Sequence, residues 1–349
     1  MTNQPKNCAI IGVGAAKPGG KGGGHQIGYL HATAYGLCPR ARLVAAADIN
    51  AENLRAFQEN FSGTRGFSNH REMLQEIRPE IVSICTYVGL HRRMIEDCVD
   101  AGVKGIFCEK PFVASPADLR AVGELVERSG VKICVAHFRR YYPSFQRMKE
   151  LYAGGAIGQP LMCIAGIEGW DLSEWGSHWL DMFRFFHEPH EVRWVFCQAR
   201  VRQGRGYGHA MEDHASAYFG FDDGGKAMLD GGTGMNGPWT MCLLGTEGVI
   251  RLQEEHLVVM ESTEGRRTQD FKDHPEMDMH RAWQQATQDL CAWLDGGPVP
   301  IIGLPRVFKT AELNLACYLS AIKGDRIDLP LVDFEVAEWP VELLARRRA

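Results

Sequence analysis

Cys8-Ala9-Ile10-Ile11-Gly12-Val13-Gly14 is the stretch that decides the fold. A short apolar, β-prone run passes straight into two glycines separated by one residue, where a dinucleotide-binding fold makes its tight turn and brings backbone against a pyrophosphate. A plain G-x-G-x-x-G would put glycine at position 17, but that residue is Lys17. Eight of the seventeen residues from 12 to 28 are glycine, and the next helical pattern begins at Gly28-Tyr29-Leu30-His31. The spacing therefore reads as the fingerprint with eleven residues inserted between its second and third glycines, making Gly12, Gly14 and Gly28 the candidate cofactor-binding positions. A phosphate loop of the G-K-[ST] kind is rejected, because Gly20-Lys21 is followed by Gly22 and no glycine stands five positions before Gly20. On these residues alone, an exposed loop with no ligand stays open as the alternative.

Outward from that loop, Leu43–Ala47, Ile81–Cys85, Gly105–Cys108 and Lys132–Ala136 are further continuous apolar runs, as expected of strands covered on both faces of a parallel sheet. Helical patterns lie between them at Gly28–Gly36, Ala51–Phe61, Arg71–Glu76, Leu90–Ala101 and Pro116–Ser129. Such alternation predicts a doubly wound α/β domain. Asp48 ends the second strand, where an acid accepts hydrogen bonds from the adenosine ribose; a solvated loop acid is the alternative. Ile49 follows it rather than an arginine, which disfavours a 2′-phosphate and favours NAD over NADP. After about residue 140 strand-like runs succeed one another at Leu161–Ile167, Val192–Val201, His214–Phe221, Lys226–Asp230, Met241–Gly245 and Leu257–Met260. These predict a second, α+β domain with an open-faced, mostly antiparallel sheet. The expected division is 1–140 and 141–349, with the late helices around Trp283–Leu294 and Pro305–Lys323 able to pack back on the first domain.

At 349 residues the chain is a little over twice the usual ~150 per domain. Its hydrophobic fraction of 45% and charged fraction of 23% exclude a largely disordered or fibrous protein. A net charge of −5 provides no general basic field for nucleic acid or an anionic membrane, and no apolar run approaches the ~20 residues of a membrane span. The polar start at Met1–Asn7 is not read as a signal peptide. The eleven cysteines contain no C-x-x-C pair and several sit in apolar runs, so they are expected to be reduced, buried thiols in a cytoplasmic protein.

The ordered set Ile81-Val-Ser-Ile-Cys-Thr86 with His91, Ala101-Gly102, Cys108-Glu109-Lys110-Pro111, Arg139-Arg140-Tyr141-Tyr142-Pro143, Gly155-Ala-Ile-Gly158, Gly176-Ser-His178-Trp-Leu-Asp181 and Tyr318–Gly324 with Leu329-Pro330 resembles the glucose-fructose oxidoreductase / inositol dehydrogenase / rhizopine-catabolism (Gfo/Idh/MocA) family over essentially the whole chain. The resemblance implies a Rossmann domain, an open-faced sheet that shapes the substrate site and forms the oligomer interface, and NAD(P)-dependent redox chemistry on sugars and cyclitols without metal. It implies Lys110 at the substrate hydroxyl and nicotinamide, His178 as proton acceptor with Asp181 beside it, and Thr86, His91 and Glu109 around the cofactor. Departures are the glycine-loop insertion, Tyr87 where the family has proline, and a shortened Trp170-Asp-Leu-Ser-Glu174-Trp-Gly lead-in, with Glu174 where many members carry aspartate.

Alcohol oxidation needs a base within reach of the hydroxyl and positive charge where the alkoxide develops, roles that suit His178 and Lys110. Pro111 is expected to set an unusual backbone turn, which a cis bond would explain. Arg139 and Arg140 are candidate substrate clamps or ion-pair partners; Trp170 and Trp175 are candidate sugar platforms or core residues. Glu174 is a candidate hydroxyl ligand. Glu212-Asp213-His214 could face substrate or merely enter a strand, and His187-Glu188-Pro189-His190 reads as a polar turn, so no metal is expected. The expected function is an NAD-dependent sugar or polyol dehydrogenase forming a homodimer or homotetramer through its second sheet. Two alternatives stand beside it: a redox-neutral glycosidase or lyase working through a transient keto-sugar, and a cofactor-binding regulator without chemistry.

Overall fold

In the computed structural model the continuous apolar runs pair side by side. The structure describes residues 4–15, 26–169, 172–202, 205–206, 209–232, 241–332 and 336–347; most of the glycine-rich insertion and Trp170 lie outside them. The chain divides into two compact units, residues 1–113, 120–138 and 279–307 in one and residues 114–119, 139–278 and 308–349 in the other.

In the first unit β1 (Lys6–Ile11), β2 (Ala41–Ala47), β3 (Arg65–Phe67), β4 (Ile81–Ile84), β5 (Gly105–Cys108) and β6 (Lys132–Val135) form one parallel sheet in the order β3-β2-β1-β4-β5-β6. This is the doubly wound Rossmann arrangement, whose order reverses between β1 and β4, and ligands bind such sheets outside the carboxyl ends at that reversal. Every residue of β4 and β5 is buried, which is why these strands carry no polar alternation. Crossovers are α1 (Ile27–Leu37), α2 (Ala51–Asn60), α3 (His70–Ile77), α4 (His91–Asp100) and α5 (Pro116–Ser129). Asn50 and Asn69 cap α2 and α3, accepting from the Glu52 and Asn53 amides and from the Arg71 amide. The short edge strand β3, Arg-Gly-Phe, has no apolar run and is not foreseen from the sequence.

The second unit runs through α6 (Pro143–Ala153), β7 (Pro160–Glu168), α7 (Gly176–His187), β8 (Val192–Arg200), the small pair β9 (Arg205–Gly206) and β10 (His209–Ala210), then β11 (His214–Phe221), β12 (Lys226–Gly232), β13 (Cys242–Gly245), β14 (Gly248–Gln253), β15 (Leu257–Ser262) and β16 (Gly265–Asp270). After these come α8 (Met279–Leu294), α9 (Leu304–Lys323), β17 (Ile327–Asp328) and α10 (Pro340–Arg346). The large sheet has the order β16-β15-β14-β13-β7-β12-β11-β8-β17 and is antiparallel except for the parallel β7–β12 pair. The expected mostly antiparallel second sheet is thus present, with one parallel pair inside it. Along β8 buried and exposed residues alternate, so the sheet has one covered and one open face. On the covered side α7 packs against β7 and β12, and all twelve of its residues are buried.

Helix α8 belongs to the first unit: Ala282, Trp283, Ala286, Leu290 and Cys291 form its buried stripe, and it packs against α1. Among the described residues no helix is long and apolar enough to cross a membrane.

Candidate active site

The carboxyl edge of the first sheet gathers the expected cofactor residues. Gly12 and Gly14 adopt φ of +83° and +72°, and a Cβ at Gly12 would lie 3.0 Å from the Cys85 carbonyl oxygen. A Cβ at Gly28 would come within 2.7 Å of the Val13 oxygen, so α1 can start against the loop only with glycine there. This is the packing role of the fingerprint's third glycine, reached here across the insertion. The Asp48 carboxylate accepts from the amides of Val13 (2.9 Å) and Gly14 (3.2 Å) on Oδ2 and from Asn50 (2.8 Å) on Oδ1. Beside it Ile49 is 96% exposed. The Thr86 hydroxyl, just past β4, is buried without a hydrogen-bond partner. An orphaned hydroxyl, a cradle that side chains would fill and an acid at the end of β2 all fit a dinucleotide.

Glu109, Lys110 and Pro111 follow β5, and the Lys110–Pro111 peptide is cis. One Glu109 oxygen accepts the Lys110 amide at 3.2 Å, and the other lies 3.1 Å from His31 Nε2. His31 Nδ1 is in turn 2.8 Å from Ser83 Oγ, which is 2.6 Å from Tyr35 Oη. No composition signal or motif of the sequence marks His31, Ser83 or Tyr35. The available signal was Ser83, a lone hydroxyl within an otherwise apolar strand. His91 is completely buried, with its ring nitrogens 3.1 Å from the Phe112 oxygen and 2.9 Å from the Thr86 oxygen. The ring thus lies between two backbone carbonyls, one just past β4 and one two residues beyond Lys110, and in its neutral form has one N–H to donate to them.

In the second unit His178 lies in the first turn of α7, 3% exposed, its amide donating to the Trp175 oxygen at 3.1 Å. Its ring centroid is 6.0 Å from that of Trp175. One turn further on, both Asp181 oxygens receive Arg140, at 2.7 and 2.8 Å, and one also accepts the Thr310 hydroxyl at 2.8 Å. Arg140 reaches Glu188 at 2.6 Å, and Arg184 donates to Thr310 at 2.9 Å. Burial alone would lower the Arg140 pKa, but Asp181 and Glu188 outweigh it and hold the guanidinium above its ordinary value. The side chain has no exposed surface, and three of its donor atoms are directed at carboxylates. Arg140 thus takes the ion-pair alternative within the second unit, and Asp181 is its buried partner on α7. Arg139 likewise pairs with Glu255 at 2.7 Å and lies over the Trp179 ring.

Glu174 is buried, its Oε1 3.5 Å from His209 Nε2. Glu212 accepts the Leu172 amide at 2.6 Å and the Tyr318 hydroxyl at 2.7 Å on one oxygen, while its other oxygen is buried without a hydrogen bond. Burial pushes this carboxyl above its ordinary pKa against the pull of those donors. The sequence left Glu212 ambiguous and did not single out His209. At the surface His190, Asp222 and Asp223 are close enough to share a cation, but Arg193 donates to Asp222 at 3.1 Å.

A Rossmann unit with a formed glycine turn and an acid at β2, followed by a unit built on a large mixed sheet, defines an NAD-binding oxidoreductase. Residues 6–137 match the model of the oxidoreductase family with an NAD-binding Rossmann fold, and residues 168–251 match the GFO/IDH/MocA C-terminal domain. The chain belongs to the Gfo/Idh/MocA family. It is 27% identical to a D-apiose dehydrogenase of Paraburkholderia graminis, over 84% of this chain and 85% of that protein. It is 24% identical to a scyllo-inositol 2-dehydrogenase (NAD+) of Bacillus subtilis, over 93% and 95% of the two chains. Levoglucosan dehydrogenase in complex with NADH and levoglucosan shares the fold, with a TM-score of 0.78 at 20% identity over 94% of this chain and all of that one.

Proposed function

We propose that this protein oxidises a secondary hydroxyl of a sugar, cyclitol or sugar derivative with NAD. The observation that carries the reading is Lys110, set at the carboxyl end of β5 by the Glu109 carboxylate on the same sheet edge as Asp48 and Thr86. Bound NAD supplies the two-electron acceptor for the hydride that leaves carbon. Gly12, Gly14 and Gly28 keep the turn open to a pyrophosphate, and Asp48 and Ile49 receive the adenosine end. Lys110 stabilises negative charge on the reacting oxygen, and His178 accepts its proton. Asp48 and the absence of a cation at position 49 favour NAD over NADP, because a 2′-phosphate would meet like charge. In calorimetry NAD should bind at least about tenfold tighter than NADP, roughly 1.4 kcal/mol, and Asp48→Ala should erase the difference. Lys110→Ala and His178→Ala should fold and keep NAD while losing most NADH formation across a panel of myo-inositol, D-apiose and levoglucosan. Near wild-type turnover in either removes its assigned role.

Redox-neutral cleavage is the second reading, favoured by one observation: it needs a further proton-transfer group, and Glu174 pairs with His209 near the buried Glu212 carboxyl. Under that reading an aryl glycoside loses its leaving group without accumulating NADH. Lys110 and His178, which a regulator without chemistry could spare, support an enzyme.

The open face of the second sheet supports a homodimer or homotetramer. Phe196, Tyr218, Met228, Ile164 and Cys242 stand in one cross-strand row, with Phe196 41% and Met228 37% exposed. A second copy is the simplest cover for such a row. Light scattering should show an oligomer that Phe196→Glu dissociates; a monomeric wild type would refute it. The eleven cysteines are all free, nine of them buried, which suits a reducing cytoplasm.

A further inference from the structure

We infer that Tyr35, Ser83, His31 and Glu109 form a one-directional hydrogen-bond chain that positions Lys110, with His31 as its tautomer-defining member. The inference rests on the reading of Lys110 given above. Ser83 and His31 have no exposed surface beyond 1%, and Tyr35 has 1%. Every polar atom in the chain must therefore find its partner inside the protein.

With a neutral imidazole beside an ionised carboxylate, one arrangement of protons satisfies all four groups. A carboxylate accepts and does not donate, so Glu109 requires a proton on His31 Nε2. A neutral ring then has a bare Nδ1, which must receive the Ser83 hydroxyl proton. Ser83, having donated, accepts from Tyr35, whose hydroxyl needs no further acceptor. The Lys110 amide completes the set on the second Glu109 oxygen. With the proton on Nδ1 instead, Ser83 would accept it and one hydroxyl proton, of Ser83 or of Tyr35, would be left over, while Nε2 would face the carboxylate lone pairs. Aromatic packing fixes the ring that selects between these states: its centroid lies 4.2 Å from that of Trp283 and 4.8 Å from that of Phe107, both near edge-on.

The chain reaches Lys110 through backbone, because what Glu109 holds is the lysine's own amide. On the far side of Pro111, the buried His91 ring lies within hydrogen-bond distance of the Phe112 and Thr86 carbonyls, with one N–H to donate in its neutral form. The lysine is thus bracketed: Glu109 fixes its amide and Phe112 fixes the chain two residues on. Both brackets are anchored in buried histidines, on α1 and α4. Oriented neutral donors ending on one carboxylate polarise each other, and such outer partners commonly change activity by about 10–100-fold when removed.

The test uses the full-length protein with His31→Leu, His31→Gln, Ser83→Ala, Tyr35→Phe and Lys110→Ala as a control. Ring-nitrogen NMR, with His31 assigned by its loss in His31→Gln, should show Nε2 protonated and Nδ1 bare, with that preference weakened in Ser83→Ala. Hydrogen exchange should quicken over residues 109–112 in His31→Leu and Ser83→Ala while β1 and β2 stay protected. With the fastest-oxidised member of the sugar panel, His31→Leu should lose about 10–100-fold in kcat. His31→Gln, whose amide can donate to Glu109, should recover most of it, and NAD affinity should stay within about threefold throughout. An Nδ1-protonated ring overturns the inference whatever the turnover. So does wild-type kcat in His31→Leu and Ser83→Ala when Lys110→Ala is inactive. Full activity in Lys110→Ala would instead remove the reading of Lys110 on which the chain depends.

Discussion

The two units each bury polar groups to hold a candidate active residue, and they do it by opposite means. In the first, Tyr35, Ser83 and His31 pass neutral hydrogen bonds to a single carboxylate beside Lys110. In the second, the wholly buried helix that carries His178 is held by ions, with Arg140 between Asp181 and Glu188 and Arg184 reaching Thr310. Neutral chains are inexpensive to desolvate and depend on geometry, so damage to them should stay local. Buried ion pairs are costly to desolvate, so losing one partner leaves a charge that the protein cannot hydrate. Catalytic positioning and global stability should therefore separate between the units.

The largest expected effect is Asp181→Ala. It takes from the unexposed Arg140 guanidinium its two-bonded Asp181 partner, and breaking a buried pair on one side costs about 3–5 kcal/mol. Urea unfolding measures this, and a loss below about 1 kcal/mol would mean the pair behaves like a surface bridge. Next, the Glu188 contribution should depend on pH. Burial would raise its carboxyl, but Arg140 and Lys149 outweigh that and hold it below the usual range. A depressed folded pKa contributes stability above the unfolded value and loses it as pH falls through the folded one. Wild type should therefore exceed Glu188→Gln in Tm at neutral pH, with the two converging in acid; a constant gap would place the effect in packing. Ser83→Ala should cost less, about 1–3 kcal/mol, since it strips one donor from a buried nitrogen. It should lower turnover out of proportion to that loss. Smallest is Tyr35→Phe, which removes the last donor and should cost about 1 kcal/mol with nearly unchanged kcat. If its catalytic effect equals that of Ser83→Ala, the chain is not directional.

The first sheet was the most legible part of the molecule, because strands buried on both faces have to be written as unbroken apolar runs. The exceptions have equally simple causes: β3 is an exposed three-residue edge, and β16, Gly265–Asp270, is exposed at every position, so neither carries an apolar signature. Gly28 could be matched to the fingerprint across eleven inserted residues because no side chain fits against Val13. His31, Ser83 and Tyr35 were not legible as a group. They come from α1 and β4, and hydrogen bonds between residues about fifty positions apart leave no mark on local pattern.

The same limit applies to the buried ion pairs of the second unit. The family resemblance put Asp181 beside His178 and the sequence left Arg140 between substrate clamp and ion-pair partner, since spacing cannot say whether an arginine meets substrate or a carboxylate of a neighbouring helix. That is decided by which faces α7 buries, and α7 buries all of them. Glycine placement, apolar period and motif order thus determined by themselves the Rossmann unit, the mostly antiparallel second sheet and the family, since each reports a constraint acting within a few residues. Partner choice among buried polar groups, the pairing of Glu174 with His209 included, was decided only by tertiary structure. Burial is a property of the packed chain, and it is burial that turns a polar side chain's preference for a partner into an obligation.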